Sequence, residues 1–125
     1  MNLLLDTHAL LWWLDDNPTL SKRAKDLISD ERNSIFISAV VVWEIRIKQS
    51  IGKLKIPRNF RKVLDKQPFE MLDITVKHAH AVGDLPAYHH DPFDRMLIAQ
   101  AKIEGLTILT RDARFKRYNI PYIDA

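Results

Sequence analysis

The sequence predicts an α/β protein, a three-layer α/β/α sandwich around a mainly parallel central sheet. Three observations carry this. Short apolar runs such as Leu3-Leu4-Leu5 and Ile35-Phe36-Ile37 lack the polar alternation of a half-exposed strand, and strands of that kind are buried on both faces of a parallel sheet. They alternate along the chain with segments of helical spacing, the pattern of crossover-wound sheets. Two of them, Leu3–Leu5 and Thr107–Leu109, lead into an acid, Asp6 and Asp112. Open α/β sheets bind ligands at the carboxyl ends of their strands, so Asp6 is a site candidate from the outset.

The 125 residues suit one domain, 1–125, with a single core. A composition of 46% apolar and 28% charged residues excludes a disordered chain. The balance of 19 Lys and Arg against 16 Asp and Glu gives a net charge of +3. If several acids gather in one pocket, the remaining surface is more basic and suits a polyanion. With no cysteine, disulfides and thiolate metal sites are excluded. The apolar start is interrupted by Asp6 and His8 and has no basic leader, so neither a signal peptide nor a membrane span is expected, and the location is read as cytoplasmic.

After Asp6, His8 to about Leu14 reads as a helix ended by Asp15-Asp16-Asn17-Pro18. Trp12 and Trp13 are adjacent and cannot share a helix face, which makes at least one of them a candidate interface residue. Leu20, Ala24, Leu27 and Ile28 form one stripe of an amphipathic surface helix. Ser34–Ile37 is a second strand. The segment Ser38–Lys48 is read as a helix, with Val40, Trp43, Ile47 and Ile51 on one stripe, Ser38 as N-cap and Gly52 as the C′ stop. A basic helical segment, Arg58–Lys66, precedes a third strand, Phe69–Leu72. Thr75 caps a short helix, Val76–Val82, that Gly83 ends. The best-marked helix opens at Asp91 (N-cap), Pro92 (N1) and Asp94 (N3) and stops at Gly105. Strand Thr107–Leu109, a basic run from Arg114 to Arg117 and a short strand near Tyr122-Ile123 complete the chain.

Four acids thus have defined places: Asp6 and Asp112 beyond strand ends, Glu44 within an apolar helix, and Asp94 in the first turn of another. Each has an ordinary alternative. Glu44 can pair with Lys48 one turn on, Asp91 and Asp94 can both cap, and Asp112 can be a turn residue. Together they are harder to dismiss, because two strands of the same design open onto one edge of a parallel sheet. Clustered carboxylates repel one another unless a cation neutralises them, and hard divalent ions such as Mg²⁺ and Mn²⁺ prefer oxygen donors. Such ions activate water and stabilise both oxygens in phosphodiester cleavage. Asp91 is assigned to the cap and Asp94 to the metal. The histidine pairs His78/His80 and His89/His90 lack the spacing that puts two imidazoles on one helix face, so zinc is not expected.

Four stretches, Leu4–Trp12, Val42–Ile45, His90–Ala101 and Leu109–Asp112, resemble the four motif regions of PIN-domain proteins, and among these the VapC-like toxins of type II toxin–antitoxin pairs. The resemblance runs from Leu3 to Asp112 in the expected order. It implies a PIN-like fold and a Mg²⁺-dependent endoribonuclease, with Mn²⁺ able to substitute, cleaving RNA through metal-activated water. It also implies a cognate antitoxin and commonly a homodimer. Carried over by position, Asp6, Glu44, Asp94 and Asp112 are the acidic cluster, with Thr110 as a supporting hydroxyl beside the capping Asp91.

The acid cluster repels phosphate, so flanking cations must grip the substrate. Arg111, Arg114, Lys116 and Arg117 are the first candidates for RNA binding, and Arg58 and Arg61 the second. For the antitoxin, Trp12, Trp13, Ile45, Ile47 and Arg46 form the expected docking surface. Two alternatives share the fold or the site chemistry: a catalytically weak PIN-fold binding module, and a DNA-directed nuclease. A haloacid-dehalogenase-type phosphatase would need a second Asp where this chain has His8. A receiver domain would need an acidic pair and a late Lys that are absent.

Overall fold

A computed structural model describes residues 1–125. Five parallel strands, β1 (Asn2–Leu5), β2 (Ser34–Ser38), β3 (Glu70–Leu72), β4 (Thr107–Thr110) and β5 (Tyr122–Asp124), lie in the order β3-β2-β1-β4-β5. The helices are α1 (Thr7–Leu14), α2 (Lys22–Ser29), α3 (Ala39–Ser50), α4 (Phe60–Asp65), α5 (Val76–Gly83) and α6 (Pro92–Glu104), with a 3₁₀ turn at Ala113–Arg117. The chain steps from β1 to β2 to β3, then returns to lay β4 on the other side of β1. Crossovers of one hand place helices on opposite faces when the stepping direction reverses. The reversal also opens a crevice between the ends of β1 and β4, the topological switch point of the sheet.

Central strand β1 is as dry as its composition requires: Leu3, Leu4 and Leu5 are all completely buried. Ile35, Ile37, Ile108 and Leu109 flank it in the same core. Helix ends follow local chemistry. Ser21, Ser38, Thr75 and Asp91 each accept a backbone N–H at a helix start, and Gly105, at φ 66°, ends α6 in the left-handed region that disfavours a Cβ. A buried polar staple fixes α6 to the sheet edge. Ser38 Oγ donates to Gln100 Oε1, and Gln100 Nε2 donates to the Asp73 carbonyl at 3.2 Å.

One face differs from expectation. Helix α3 is a helix, but its buried side runs through Val40, Val41, Glu44 and Ile45, while Trp43 and Ile51 are 57% and 59% exposed. The apolar stripe is thus partly external. Glu44 can be internal because a hydroxyl and an ammonium meet its carboxylate there. Ile45 is completely buried, so it is core and no part of a docking surface. No helix is long and apolar enough to cross a membrane.

Candidate active site

Each acid arrives at the carboxyl edge for a local reason. Asp6 follows β1, and its amide bonds the Leu109 carbonyl of β4, which keeps the two strand ends in register. As N-cap of α1 it accepts the Ala9 N–H on Oδ1 at 2.8 Å, while Oδ2 accepts the buried Thr110 hydroxyl at 2.5 Å. Thr110 Oγ1 in turn accepts the Asp112 N–H at 3.0 Å, so one hydroxyl ties the two strand-end acids together. Burial pushes the Asp6 carboxyl above its ordinary value, and the Thr110 hydrogen bond opposes the shift.

Glu44 is buried where α3 packs against both α1 and α6. The Thr7 hydroxyl donates to its Oε1 at 2.7 Å, and the Lys48 ammonium pairs with Oε2. That hydrogen bond raises Lys48 above its ordinary value.

At the start of α6 the two acids divide their work. Asp91 Oδ1 accepts the Phe93 and Asp94 N–H groups at 2.9 and 3.0 Å. Asp94 makes no capping bond and presents Oδ2 to His89 Nε2 and Arg114 Nη2, each at 3.3 Å. Burial, followed by the charges of Asp91, Glu44 and Asp112, pushes its carboxyl up to about 7. Asp112 behaves oppositely. The Arg114 guanidinium bonds both its oxygens and holds it below the usual carboxylate range.

Behind Asp94 stands a chain of side chains that composition does not reveal. Arg95 donates to the carbonyls of Pro86, Val82 and Leu85, and to Tyr118 Oη at 3.3 Å. Tyr118 Oη is therefore free to give its own proton to His89 Nδ1 at 2.7 Å, which leaves Nε2–H to face Asp94. His89, Tyr118, Arg95 and Thr7 were not among the residues expected from sequence. The i, i+4 spacing from Glu44 to Lys48 was the one signal available for this inner shell.

Asp94 lies within electrostatic reach of Glu44 and Asp112, and Asp6 within reach of Asp112. As the side chains stand, no three of them converge as ligands on one point; Lys48 is paired with Glu44, and Arg114 with Asp94 and Asp112. The donor set nonetheless fits a hard divalent ion: every donor is oxygen, and both the burial that chiefly lifts Asp94 to about 7 and the neighbouring charges that add to it are offset by added positive charge.

The expected RNA-binding cations are variously engaged. Arg111 turns away from the acids to the Ala125 and Thr19 carbonyls and stacks over Trp12 at 5.0 Å. Arg114 folds inward onto Asp112 and Asp94. Lys116 lies 3.8 Å from Asp124, and Arg117 stacks on Tyr88 at 4.8 Å. Arg58 is exposed, and Arg61 lies 3.9 Å from Asp65. Arg46 stands over Phe60 at 5.2 Å, not beside the acids. Trp12 and Trp13 are both half-buried, and Trp13 Nε1 donates to Gln67 at 3.0 Å.

Comparison with known proteins bears on the family and the fold. A family model described as the PIN domain matches residues 3–121. Ribonuclease VapC22 of Mycobacterium tuberculosis is 26% identical over 122 residues, spanning 95% of this chain and 93% of its own. The structure of Rickettsia felis VapBC2 bound to a promoter DNA fragment matches with a TM-score of 0.76 at 20% identity, over 100% of this chain and 99% of that one. DNA-bound VapBC of Salmonella typhimurium matches with a TM-score of 0.71 at 20% identity, over 99% and 98% of the two chains. At those identities the structures speak for the fold, while the family model covers residues 3–121, from β1 to the residue before β5. The chain belongs to the PIN-domain family.

Proposed function

We propose that this protein is a metal-dependent endoribonuclease and the toxin of a toxin–antitoxin pair, with Asp6, Glu44, Asp94 and Asp112 as its acidic centre. The observation that carries the reading is the gathering of four acids from four separate segments at the switch point of the sheet. Burial and the charges of Asp91, Glu44 and Asp112 hold Asp94 near 7, and Asp6 shares the Thr110 hydroxyl with Asp112. A divalent cation, Mg²⁺ or Mn²⁺, would be held by these carboxylates and would supply charge neutralisation and activation of water for attack on phosphorus. The chain's own residues do the rest. Thr110 orients Asp6, Thr7 orients Glu44, and Asp91 caps α6 so that Asp94 is left free. Arg114, Lys116 and Arg117 lie on the 3₁₀ turn beside Asp112 and would take backbone phosphates there; Arg111 would join them only by leaving the Ala125 and Thr19 carbonyls.

Two surfaces suit partners. A groove of about 590 Å³ between α1 and the segment entering α4 is lined by Leu11, Trp12, Leu54, Ile56 and Phe60. An amphipathic antitoxin helix laid there would bury them and lie close to the acids. The likeness to VapBC assemblies supports this reading. Exposed Trp43 and Ile74 share a second apolar groove beside α5, which a second copy of the chain would cover.

The test is incubation of purified protein with defined RNA and DNA oligonucleotides, with Mg²⁺ or with EDTA. Internal cleavage of RNA that needs Mg²⁺ and is lost in Asp6→Asn is the expected result. Cleavage of DNA alone, or of neither, overturns it. Growth arrest on expression of the chain, relieved by the product of the adjacent gene, tests the toxin assignment separately.

A further inference from the structure

Arg114 occupies oxygens that a cation would need. Its Nη2 lies 2.6 Å from Asp112 Oδ2 and 3.3 Å from Asp94 Oδ2, and its Nε lies 3.1 Å from both Asp112 oxygens. One side chain thus engages both oxygens of Asp112 and one of Asp94. A guanidinium and a divalent ion carry the same sign and compete for the same lone pairs. We propose that Arg114 is a displaceable counter-ion of the acidic centre. It holds Asp94 and Asp112 together, leaves them when a divalent cation binds, and then takes a phosphate of the RNA. This inference rests on the metal-nuclease reading above.

The other partners of the acids differ in kind. Thr110 and Thr7 are neutral donors and bring no charge that an incoming cation must displace. Lys48 sits on the same helix as Glu44 and reaches one oxygen of one acid. Arg114 bridges two acids from separate segments, and its side chain is 53% exposed, so it has a path to solvent and to a bound strand. The turn that carries it is anchored by Phe115, which is almost completely buried. The Arg114 N–H also stays on Asp112 Oδ1 at 2.9 Å independently of the side chain. Release therefore needs side-chain rotation and no backbone movement. The planar fork of arginine fits phosphate as well as carboxylate, so its charge stays paired after the exchange. The consequence is reciprocal coupling, in which metal promotes RNA binding and RNA promotes metal binding.

Calorimetric titration of Mn²⁺ into the whole chain, without RNA, tests the first half. Arg114→Gln is expected to bind Mn²⁺ about tenfold more tightly than wild type, within the usual range of coupling between sites. Arg114→Lys, which keeps the charge but cannot bridge, should fall between. Equal or weaker binding by Arg114→Gln overturns the proposal while leaving the nuclease reading intact. Absence of Mn²⁺ binding by either protein overturns both. If Arg114→Gln does not fold, Arg114→Lys decides: tighter binding than wild type supports displacement, and unchanged binding refutes it. The second half is read from a phosphorothioate oligoribonucleotide with Mn²⁺ saturating. Arg114→Gln should bind it more weakly, with a salt slope lower by about 0.7 for one lost phosphate contact. An unchanged slope overturns the phosphate role.

Discussion

Asp94→Asn in the metal-free protein isolates the electrostatic strain of the site. Asp94 is held near 7, first by burial and then by the charges of Asp91, Glu44 and Asp112, whereas in the unfolded chain it titrates at the ordinary aspartate value. A folded-state value raised in this way means that the native protein keeps the proton to higher pH than the unfolded one. Stability is then greatest below about pH 4 and is lost as pH rises to about 7, after which the penalty is constant. Raising the carboxyl by about 3 pH units corresponds to a ceiling of about 4 kcal/mol at about 1.4 kcal/mol each. Asparagine removes that penalty but gives up the Arg114 contact, so about 2 kcal/mol of net stabilisation is expected above neutrality, or about 8 °C in a chain of this size. Arg114 keeps its bonds to Asp112, and an Asn oxygen still accepts from His89, so the variant strands no donor. Melts followed by circular dichroism in EDTA, from pH 4 to 8, give the comparison. The gap between variant and wild type should open as pH rises and level off above 7. A gap that does not change with pH, or a wild type more stable than the variant at pH 8, refutes the reasoning.

Other consequences concern separate residues. Millimolar Mn²⁺ should raise the wild-type midpoint at pH 8 by mass action and leave Asp94→Asn nearly unmoved, which the same melts read. Asp91→Asn should retain substantial RNA cleavage because asparagine caps as well as aspartate, whereas Asp94→Asn should be inactive. The reverse pattern in a gel assay would exchange their roles. Thr110→Val removes the hydroxyl shared by Asp6 and Asp112 while keeping the volume. It should lower thermal stability by about 1–3 kcal/mol through the unsatisfied buried carboxylate oxygen, and an unchanged midpoint would show that water replaces it. Removing Lys116 and Arg117 together in an Asp6→Asn background should reduce the salt slope of RNA binding by about 1.4, and an unaltered slope moves the RNA face elsewhere.

Sequence by itself determined the elements of this protein and the order of its candidate acids along them. The triple leucine of β1, the Asp91-Pro92 start and Gly105 stop of α6, and Ser38 before α3 are local signals, because capping and φ preference act within a turn of the residue concerned. The capping role of Asp91 was legible for the same reason, since its cap is formed by backbone N–H groups two and three residues on. Tertiary structure decided which side chains meet. The stripe of Val40, Trp43, Ile47 and Ile51 pointed to one buried face of α3, yet the core takes Glu44 and leaves Trp43 outside. Thr7 and Lys48 solvate that carboxylate from within, and hydropathy does not register such a rescue. The run from Arg114 to Arg117 likewise read as a uniform basic patch, while in the fold Arg114 turns onto the acids and Arg117 stacks on Tyr88. His89 reaches Asp94 only because Arg95 gathers the preceding loop and Tyr118 orients the ring. Charge pairing depends on distances of a few ångströms between residues far apart in the chain, and those distances exist only once the sheet has brought the strand ends together.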